Sequence, residues 1–219
     1  MEYEVFTLAF GDLPIKLFIS KEHRFGTDSL LLGEFIGSVK NKVAVDLCSG
    51  CGVIPIMLQN PKKVYAVEIQ KEAVELIRHT VAENNLDYIE VVHEDLRELM
   101  LERESVDLVT ANPPYYNSGF ERESKPQKVA RHEHECTLND VVKAASHLLK
   151  FGGELKMCMT ASRLAETISV MQSYAIEPKE IVLIGKSAGR GAHSAPKAAR
   201  LFLISGKKGG KSGVNITWK

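Results

Sequence analysis

The sequence predicts an α/β protein built on a doubly wound, mostly parallel β-sheet. Between residues 42 and 206, short apolar runs alternate with stretches of helical period, and this alternation is typical of a sheet with helices on both faces. Apolar residues dominate the first run, 42–47, as in strands buried on both faces. The last two runs are joined without a helical stretch, so we expect them to pair antiparallel. The predicted sheet therefore has seven strands, and its last strand is antiparallel.

The strands and helices follow one another in a regular order. Predicted strands cover residues 42–47, 63–69, 89–95, 106–114, 153–159, 179–185 and 199–206. Predicted helices cover residues 52–60, 71–85, 138–150 and 161–175. Pro55 lies in the first turn of its helix, where a missing N–H matters little. Gly152-Gly153 is expected to end the helix that starts at residue 138.

Two further elements precede this series. Residues 11–14, Gly-Asp-Leu-Pro, lie between two apolar runs and predict a hairpin turn. The stretch 25–36 predicts a helix that Thr27 or Asp28 could cap. We therefore expect a hairpin-and-helix extension over residues 1–40, packed on a core domain that covers residues 41–219 and ends in a basic tail.

The composition is that of an ordinary globular protein. The 219 residues are 44% apolar and 26% charged. No apolar run approaches the roughly 18 residues that cross a membrane, and the acidic start "MEYEVF" does not resemble a signal peptide. Four cysteines in a chain of this length do not form a secretory disulfide pattern. We expect a protein of the reducing cytoplasm.

The net charge of zero conceals an uneven distribution. Residues 181–219 hold eight Lys and Arg and no Asp or Glu, whereas residues 1–180 hold 20 basic and 28 acidic side chains. A basic end of this kind can bind a polyanion such as nucleic acid. The alternative is a tail that is simply solvated.

The turn after the first predicted strand is a candidate cofactor loop. It contains Asp46, Cys48, Gly50 and Gly52. Ligands of doubly wound sheets bind beyond the carboxyl ends of the strands, and glycines let the backbone approach them closely. Glu68 ends the second predicted strand, at a spacing from the loop where an acid typically holds ribose hydroxyls. The spacing favours a nucleoside cofactor.

The same turn contains a Cys-x-x-Cys pair, Cys48 and Cys51. A redox motif would need a thioredoxin-like context, and five more predicted strands do not fit one. A structural zinc site needs two further ligands; His132, His134 and Cys136 are distant in sequence. We predict no metal, and interpret both cysteines as small residues in a tight turn.

The most specific signal follows the fourth strand. Asn112, Pro113, Pro114 and Tyr115 resemble the (Asp/Asn/Ser)-Pro-Pro-(Tyr/Phe) motif of S-adenosylmethionine-dependent methyltransferases that modify planar amino groups. The Asn112 amide oxygen and the Pro113 carbonyl could accept the two N–H groups of an adenine N6, directing its lone pair at the cofactor methyl. The two prolines stiffen the loop, and Tyr115 could stack on the base. The alternative is a structural strand terminator.

The resemblance assigns roles to the other residues and implies the Rossmann-like class I methyltransferase fold. "DLCSGCG" resembles the cofactor loop D-x-G-x-G-x-G, with Cys48 in place of the first glycine. Glu68 would then bind the ribose of S-adenosylmethionine. Asp95, after the third strand, would hold the adenine amino group of the cofactor; its alternative role is a helix N-cap.

The segment 25–36 resembles the region that precedes the core in bacterial adenine-N6 methyltransferases acting on a valine tRNA. The resemblance places Thr27 and Asp28 near the methionine end of the cofactor, and helix capping is the alternative. It extends from about residue 3 to residue 206, and implies a transferase that acts on RNA.

Basic residues in two loops are candidate substrate contacts. Arg131 lies in the polar stretch after the Asn-Pro-Pro-Tyr motif, and Lys186, Arg190 and Lys197 lie between the last two strands. The "GKS" at 185–187 lacks the first glycine of a P-loop and follows the wrong strand. We interpret these cations as contacts to an RNA backbone, against the alternative of solvated loops.

The leading hypothesis is therefore methylation of adenine N6 in RNA, most readily in a tRNA loop whose base is already unpaired. Alternatives are methylation of a release-factor glutamine, of ribosomal RNA guanine N2 or of DNA adenine, and a non-enzymatic RNA-binding protein. Only one predicted hairpin and one predicted helix precede the cofactor loop, which counts against the helical domain of the glutamine enzymes, and there is no room for a DNA target-recognition domain. We favour a monomer with no membrane contact.

Overall fold

The computed structural model describes residues 2–10, 13–113, 136–185 and 198–219. The strands are β1 (Glu4–Phe10), β2 (Leu13–Ile19), β3 (Val43–Leu47), β4 (Lys63–Glu68), β5 (Ile89–His93), β6 (Val106–Ala111), β7 (Leu149–Thr160), β8 (Ile176–Ile184), β9 (Leu201–Lys208) and β10 (Asn215–Trp218). The helices are α1 (Thr27–Ile36), α2 (Val53–Met57), α3 (Lys71–Glu83), α4 (Leu138–Leu148) and α5 (Leu164–Ser173), with a 3₁₀ turn at Ala161–Arg163 before α5.

The central sheet is doubly wound. Its strand order is β10-β8-β9-β7-β6-β3-β4-β5. Strand β9 runs antiparallel to both β7 and β8, and the other neighbouring pairs are parallel. The chain therefore leaves β3 in one direction, through β4 and β5, and returns to its other side at β6. A reversal of this kind opens a crevice at the carboxyl ends of β3 and β6.

All seven predicted core strands are present, and the described residues add an eighth at the sheet edge. Strand β10 pairs parallel with β8, Ile216 lying beside Ile181 and Trp218 beside Leu183. The Ile216 and Trp218 side chains are more than half exposed. The end of the predicted basic tail thus forms an edge strand. The sequence did not predict this strand, because it has only four residues.

Helices cover both faces of the sheet. One buried cluster lies under α4 and α5, and the other lies under α1, α2 and α3. Helix α4 begins with a capping box, in which Thr137 and Asp140 each bond the other's backbone N–H. Each face of the sheet is therefore covered by an apolar core of its own, as predicted for strands buried on both faces.

Several predicted boundaries are wrong for local reasons. Helix α2 has only five residues. Helix α4 ends at Leu148, and β7 continues through Gly152, which has φ +82° and lies beside a register shift between β6 and β7. The glycines thus accommodate an irregularity in a strand and do not end the helix. The N-cap of α1 is Gly26, which has no side chain to cap the helix, so the capping role considered for Thr27 and Asp28 is not observed.

The N-terminal hairpin packs against α3. The backbone N–H of Phe18 donates to Thr80 Oγ1 at 3.0 Å, and Asn84 bonds both the N–H and the carbonyl of Lys16. Leu17 and Ile19 are buried in the same apolar cluster as α1 and α3. The hairpin therefore shares the core of the sheet, and the predicted domain boundary at residue 40 stays a prediction.

Some lysines of the basic end are used within the fold. Lys208 Nζ donates to the carbonyls of Ser146 and Leu149 and contacts Glu104 Oε1 at 2.9 Å. Lys219 Nζ lies 2.8 Å from a Glu34 oxygen on α1. These two cations therefore pair with other groups of the same chain. No helix in the described ranges is long and apolar enough to cross a membrane.

Candidate active site

Four adjacent strands deliver the predicted site residues to one edge of the sheet. Asp46 lies near the end of β3, Glu68 ends β4, Asp95 follows β5 and Asn112 follows β6. These strands are neighbours in the order β6-β3-β4-β5 and all run parallel. The carboxyl edge therefore brings together side chains that are far apart in the sequence.

The Asn112 side chain is held by the first turn of α1. Its Nδ2 donates to Asp28 Oδ2 at 3.0 Å and to Ser29 Oγ at 2.9 Å. A carboxylate can only accept, so it is the NH₂ group of Asn112, and not its oxygen, that faces Asp28. Ser29 is buried and Asn112 is half-buried. The amide orientation of Asn112 is thereby fixed, with Oδ1 as its acceptor atom.

Helix α1 is anchored at its other end as well. Lys156 Nζ, on β7, donates to the carbonyl of Ile36 at 2.9 Å and lies near that of Phe35 at 3.4 Å. Burial lowers the pKa of Lys156, while the charges of Glu154 and Glu180 oppose this. A cation at the carboxyl end of a helix also complements the helix dipole. Both ends of α1 are therefore tied to the sheet that carries Asn112.

Glu68 organises the loop after β3. Its Oε2 accepts from the Gly50 N–H at 2.8 Å, and its Oε1 accepts from the N–H groups of Ile69 and Gln70 at 3.0 and 2.9 Å. The side chain is only 5% exposed. A carboxylate has about four acceptor positions, so three backbone donors leave room for a hydroxyl. Glu68 therefore supports the loop and can also hold a ligand.

The loop itself needs left-handed backbone at three positions. Cys48, Gly50 and Gly52 have φ values of +60°, +55° and +83°. Among the described residues, a Cβ on Gly50 would meet nothing within 4 Å, whereas one on Gly52 would lie 3.1 Å from Ile77. The described residues thus leave room for a ligand beside Gly50, and Gly52 is required by packing on α3. Cys48 occupies a conformation that ordinarily favours glycine.

Asp46 lies beneath this loop and is fully buried. Its Oδ1 accepts from Thr110 Oγ1 at 2.5 Å, while its Oδ2 is buried without a hydrogen-bond partner in the described part of the chain. Burial raises the pKa of Asp46 to about 7, which its bonds with Thr110 and Ser49 only partly offset. An unfilled acceptor of this kind suits a ligand that brings a donor or a positive charge.

Asp95 starts a turn and not a helix. Its Oδ1 accepts from the Arg97 backbone N–H at 2.9 Å, and the Arg97 guanidinium pairs with both of its oxygens. The Glu98 N–H closes the turn on the Asp95 carbonyl. The helix that Asp95 could have capped is therefore absent from residues 96–100. A cofactor amino group would share this carboxylate with Arg97.

The structure describes only some of the remaining predicted residues. Pro113 follows Asn112 and is buried, and Thr27 is exposed at the start of α1. The following predicted residues lie outside the described ranges: Pro114, Tyr115, Arg131, Lys186, Arg190 and Lys197. Within those ranges, no group of three or more His, Cys, Asp or Glu is placed to hold a metal ion.

Two residues of the site were missed by sequence reasoning. Ser29 contacts Asn112, and Thr110 contacts Asp46. Thr110 lies on β6, two residues before the Asn-Pro-Pro-Tyr motif that follows the strand, so its position near the carboxyl edge of the sheet could be read from the sequence. Ser29 carries no such signal, because its partner is 83 residues away in the sequence.

Comparison with known proteins agrees with this geometry. The sequence model of the family described as "Methyltransferase small domain" matches residues 17–176. The chain belongs to this methyltransferase family. Its predicted class of enzyme, a methyltransferase, is therefore confirmed, and the match includes α1, the cofactor loop and Asn112.

Curated relatives of this methyltransferase have a common description. A protein of Christiangramia forsetii is 25% identical over 173 residues, which are 75% of this chain and 72% of that one. A protein of Porphyromonas gingivalis is 30% identical over 156 residues, 65% of this chain and 61% of the other. Both are named tRNA1(Val) (adenine(37)-N6)-methyltransferase.

Solved structures confirm the predicted fold class. A predicted O-methyltransferase from Agrobacterium tumefaciens superimposes with a TM-score of 0.65 at 21% identity, covering 87% of this chain and 85% of that one. A precorrin-6y C5,15-methyltransferase from Geobacter metallireducens gives 0.59 at 14% identity, covering 88% and 94%. At these identities the likeness concerns the fold alone.

Proposed function

We propose that the protein transfers a methyl group from S-adenosylmethionine to the exocyclic N6 of an adenine in RNA, within a tRNA loop. The observation that carries this proposal is the fixed orientation of the Asn112 amide by Asp28 and Ser29. An acceptor oxygen held in this way can receive an N–H of a planar amino group without first having to rotate into place.

The donor and acceptor set at the carboxyl edge fits the cofactor. Glu68 retains an acceptor position for a ribose hydroxyl, and the described residues leave room for a ligand beside Gly50. The unfilled Oδ2 of Asp46 suits the positively charged methionine end of the cofactor. Asp95 offers carboxylate oxygens to the adenine amino group while it is also paired with Arg97. We assign Cys48 and Gly52 to the shape of the loop, and Thr27 to the rim of the site.

The chemistry of the reaction explains the need for Asn112. The bound cofactor supplies an electrophilic methyl group. The N6 lone pair of adenine is delocalised into the ring, so N6 must be drawn toward tetrahedral geometry before it can attack. Asn112 Oδ1 and the Pro113 carbonyl would accept its two N–H groups and stabilise the positive charge that develops there. The Asp28 carboxylate strengthens this effect, because it polarises the amide through Nδ2.

The RNA class rests on the names of the relatives and on charge. Both relatives described above act, by name, on an adenine of a tRNA, and this favours tRNA over a release-factor glutamine or a ribosomal RNA guanine. Residues 181–219 keep an excess of basic side chains, and we assign Lys186, Arg190, Lys197 and Arg131 to phosphate contacts. Pro114 and Tyr115 complete the base pocket in this proposal.

The proposal includes the organisation of the chain and its surroundings. Residues 1–40 form an extension that supplies Asp28 and Ser29 to a core domain of residues 41–219, although the family match already starts at residue 17. The protein acts as a monomer, without metal, in the cytoplasm, where its tRNA substrate is found.

The test is a transfer assay that identifies the product. Purified protein is incubated with methyl-labelled S-adenosylmethionine and unmodified total tRNA, and the tRNA is digested to nucleosides for mass spectrometry. We expect label in N6-methyladenosine. Parallel incubations offer unmodified ribosomal RNA or release factor in place of tRNA. Label in 2-methylguanosine of the ribosomal RNA, or in a release-factor peptide, with none in tRNA, would contradict the proposal and identify the alternative substrate.

A further inference from the structure

Two thiols from distant parts of the chain meet beside the cofactor loop. Cys48 Sγ and Cys136 Sγ are 3.5 Å apart, although 88 residues separate them in the sequence. Both side chains are half-buried, whereas Cys51 and Cys158 are 3% and 0% exposed. None of the four is in a disulfide. Only the Cys48–Cys136 pair is therefore both close and reachable from solvent.

We propose that Cys48 and Cys136 form a disulfide when a peroxide oxidises the protein, and that this modification weakens binding at the cofactor loop. The pair is separate from the Cys-x-x-Cys spacing of the sequence, because its members are Cys48 and Cys136 and not Cys48 and Cys51. The effect on binding rests on the proposed function, whereas formation of the bond does not.

The reaction balances with a peroxide as the only oxidant. The Cys136 thiolate attacks one peroxide oxygen, the O–O bond breaks, and a sulfenic acid forms with release of hydroxide. The Cys48 sulfur then attacks the Cys136 sulfur, the S–O bond breaks, and its thiol proton leaves with the hydroxide as water. Two electrons pass from the two sulfurs to the peroxide, and the hydroxide released in the first step takes up the proton that Cys136 lost on ionising, so that two water molecules are formed in all.

Cys136 is assigned the first step for an electrostatic reason. The hydrogen bond from the Cys48 thiol lowers the pKa of Cys136, whereas the pKa of Cys48 is raised by the same contact and by burial. The thiolate is the nucleophile in such oxidations. Cys48 is the resolving thiol, already within 3.5 Å.

The bond would distort the cofactor loop. A disulfide requires an S–S distance of about 2.05 Å, so the sulfurs must approach by about 1.5 Å. Cys48 already has φ +60°, and it lies two residues before Gly50, whose N–H bonds Glu68 at 2.8 Å. On the other side, α4 begins two residues after Cys136 with a capping box, in which Thr137 and Asp140 bond each other's backbone N–H. The loop is therefore the part that moves.

The first measurement identifies the bond. Fully reduced protein is treated with hydrogen peroxide, unfolded in denaturant so that every remaining thiol is accessible, alkylated with iodoacetamide and digested with trypsin without reduction. We expect peptide 43–62 linked to peptide 132–143, with Cys51 and Cys158 alkylated. Recovery of Cys48 and Cys136 as alkylated or sulfinic residues, or a Cys48–Cys51 bond, would overturn the proposal.

The second measurement tests the consequence. In calorimetric titrations, the affinity of the oxidised wild type for S-adenosylhomocysteine should be lower than that of the reduced protein by roughly 10-fold or more. Dithiothreitol should restore the affinity of the reduced protein. Peroxide should leave binding by Cys136→Ser unchanged, while the matched control Cys158→Ala should respond like the wild type. Equal binding by the linked and reduced forms would refute the effect on the loop. If the reduced protein does not bind the ligand at all, the proposed function fails, and the mapped disulfide still stands.

Discussion

The Asn112 Nδ2 donates to Asp28 Oδ2 at 3.0 Å across 84 residues of sequence. The contact joins the loop after β6 to the first turn of α1, and Ser29 Oγ accepts a second bond from the same nitrogen. Helix α1 thus holds in one orientation the amide on which the proposed chemistry depends. A change that frees this amide to rotate should therefore slow the reaction.

The Asp28→Asn substitution tests the positioning of Asn112. An amide at residue 28 can present either its oxygen or its nitrogen, so it no longer forces one orientation on Asn112. We expect kcat for tRNA methylation to fall roughly 10-fold, with little change in the KM for tRNA or in the KM for S-adenosylmethionine. Glu34→Gln, on the exposed face of the same helix, is the matched control. An increase in the KM for the cofactor at unchanged kcat would instead assign Asp28 to cofactor binding.

The Glu68→Gln substitution tests the support of the cofactor loop. The new amide NH₂ group would face at least one of the three backbone N–H groups that now donate to Glu68, and two donors cannot bond each other. An unmet buried donor costs about 1–3 kcal/mol, so the affinity for S-adenosylhomocysteine should fall by about 10- to 100-fold, measured by calorimetry. Glu90→Gln, exposed on the neighbouring strand β5, should bind normally. Equal affinities of the two variants would contradict the role given to Glu68.

Asp46 makes a pH-dependent contribution to stability. Its folded-state pKa of about 7 is above the ordinary value of 3.8, so the folded protein retains a proton that the unfolded chain loses. This contribution is fully present below about pH 3.8 and is lost as the pH rises from there through about 7. We expect Asp46→Asn, measured against wild type by urea unfolding, to be relatively more stable at pH 8 than at pH 5. A difference that is the same at both pH values would show that Asp46 does not titrate in this range.

Lys208 is predicted to stabilise the fold and not to bind RNA. It donates to the carbonyls of Ser146 and Leu149 at the end of α4, and its side chain is 15% exposed. Lys208→Met leaves these carbonyls without the donor, so the free energy of unfolding should fall by about 1–3 kcal/mol. Lys207→Met, at the exposed neighbouring position, should leave it within about 0.5 kcal/mol of wild type. A larger loss for Lys207→Met would argue against this assignment.

The sequence predicted the sheet and the edge where the site lies, because continuous apolar runs and glycine turns are local signals. Asp46, Glu68, Asp95 and Asn112 were placed correctly at strand ends for this reason. Contacts between distant segments gave no local signal. The bonds of Asn112 with Asp28 and of Cys48 with Cys136 depend on how α1 and α4 pack on the sheet.

Strand β10 was missed for a different reason. Residues 215–218 are a four-residue run after a Gly- and Lys-rich stretch, which by pattern alone resembles a solvated tail. The strand exists because β8 offers an open edge for pairing. Its order is a property of the sheet and not of the local sequence.

The role proposed for Asn112 is tested by the rate of a single turnover with Asn112→Ala. Enzyme in excess over unmodified tRNA, saturated with S-adenosylmethionine, is sampled over time, and N6-methyladenosine is quantified by mass spectrometry. We predict a rate constant lower by roughly 10²- to 10³-fold, with the affinity for S-adenosylhomocysteine unchanged within about 2-fold. If the variant methylates adenine at the wild-type rate, the oriented amide of Asn112 takes no part in the reaction and the proposed mechanism is wrong.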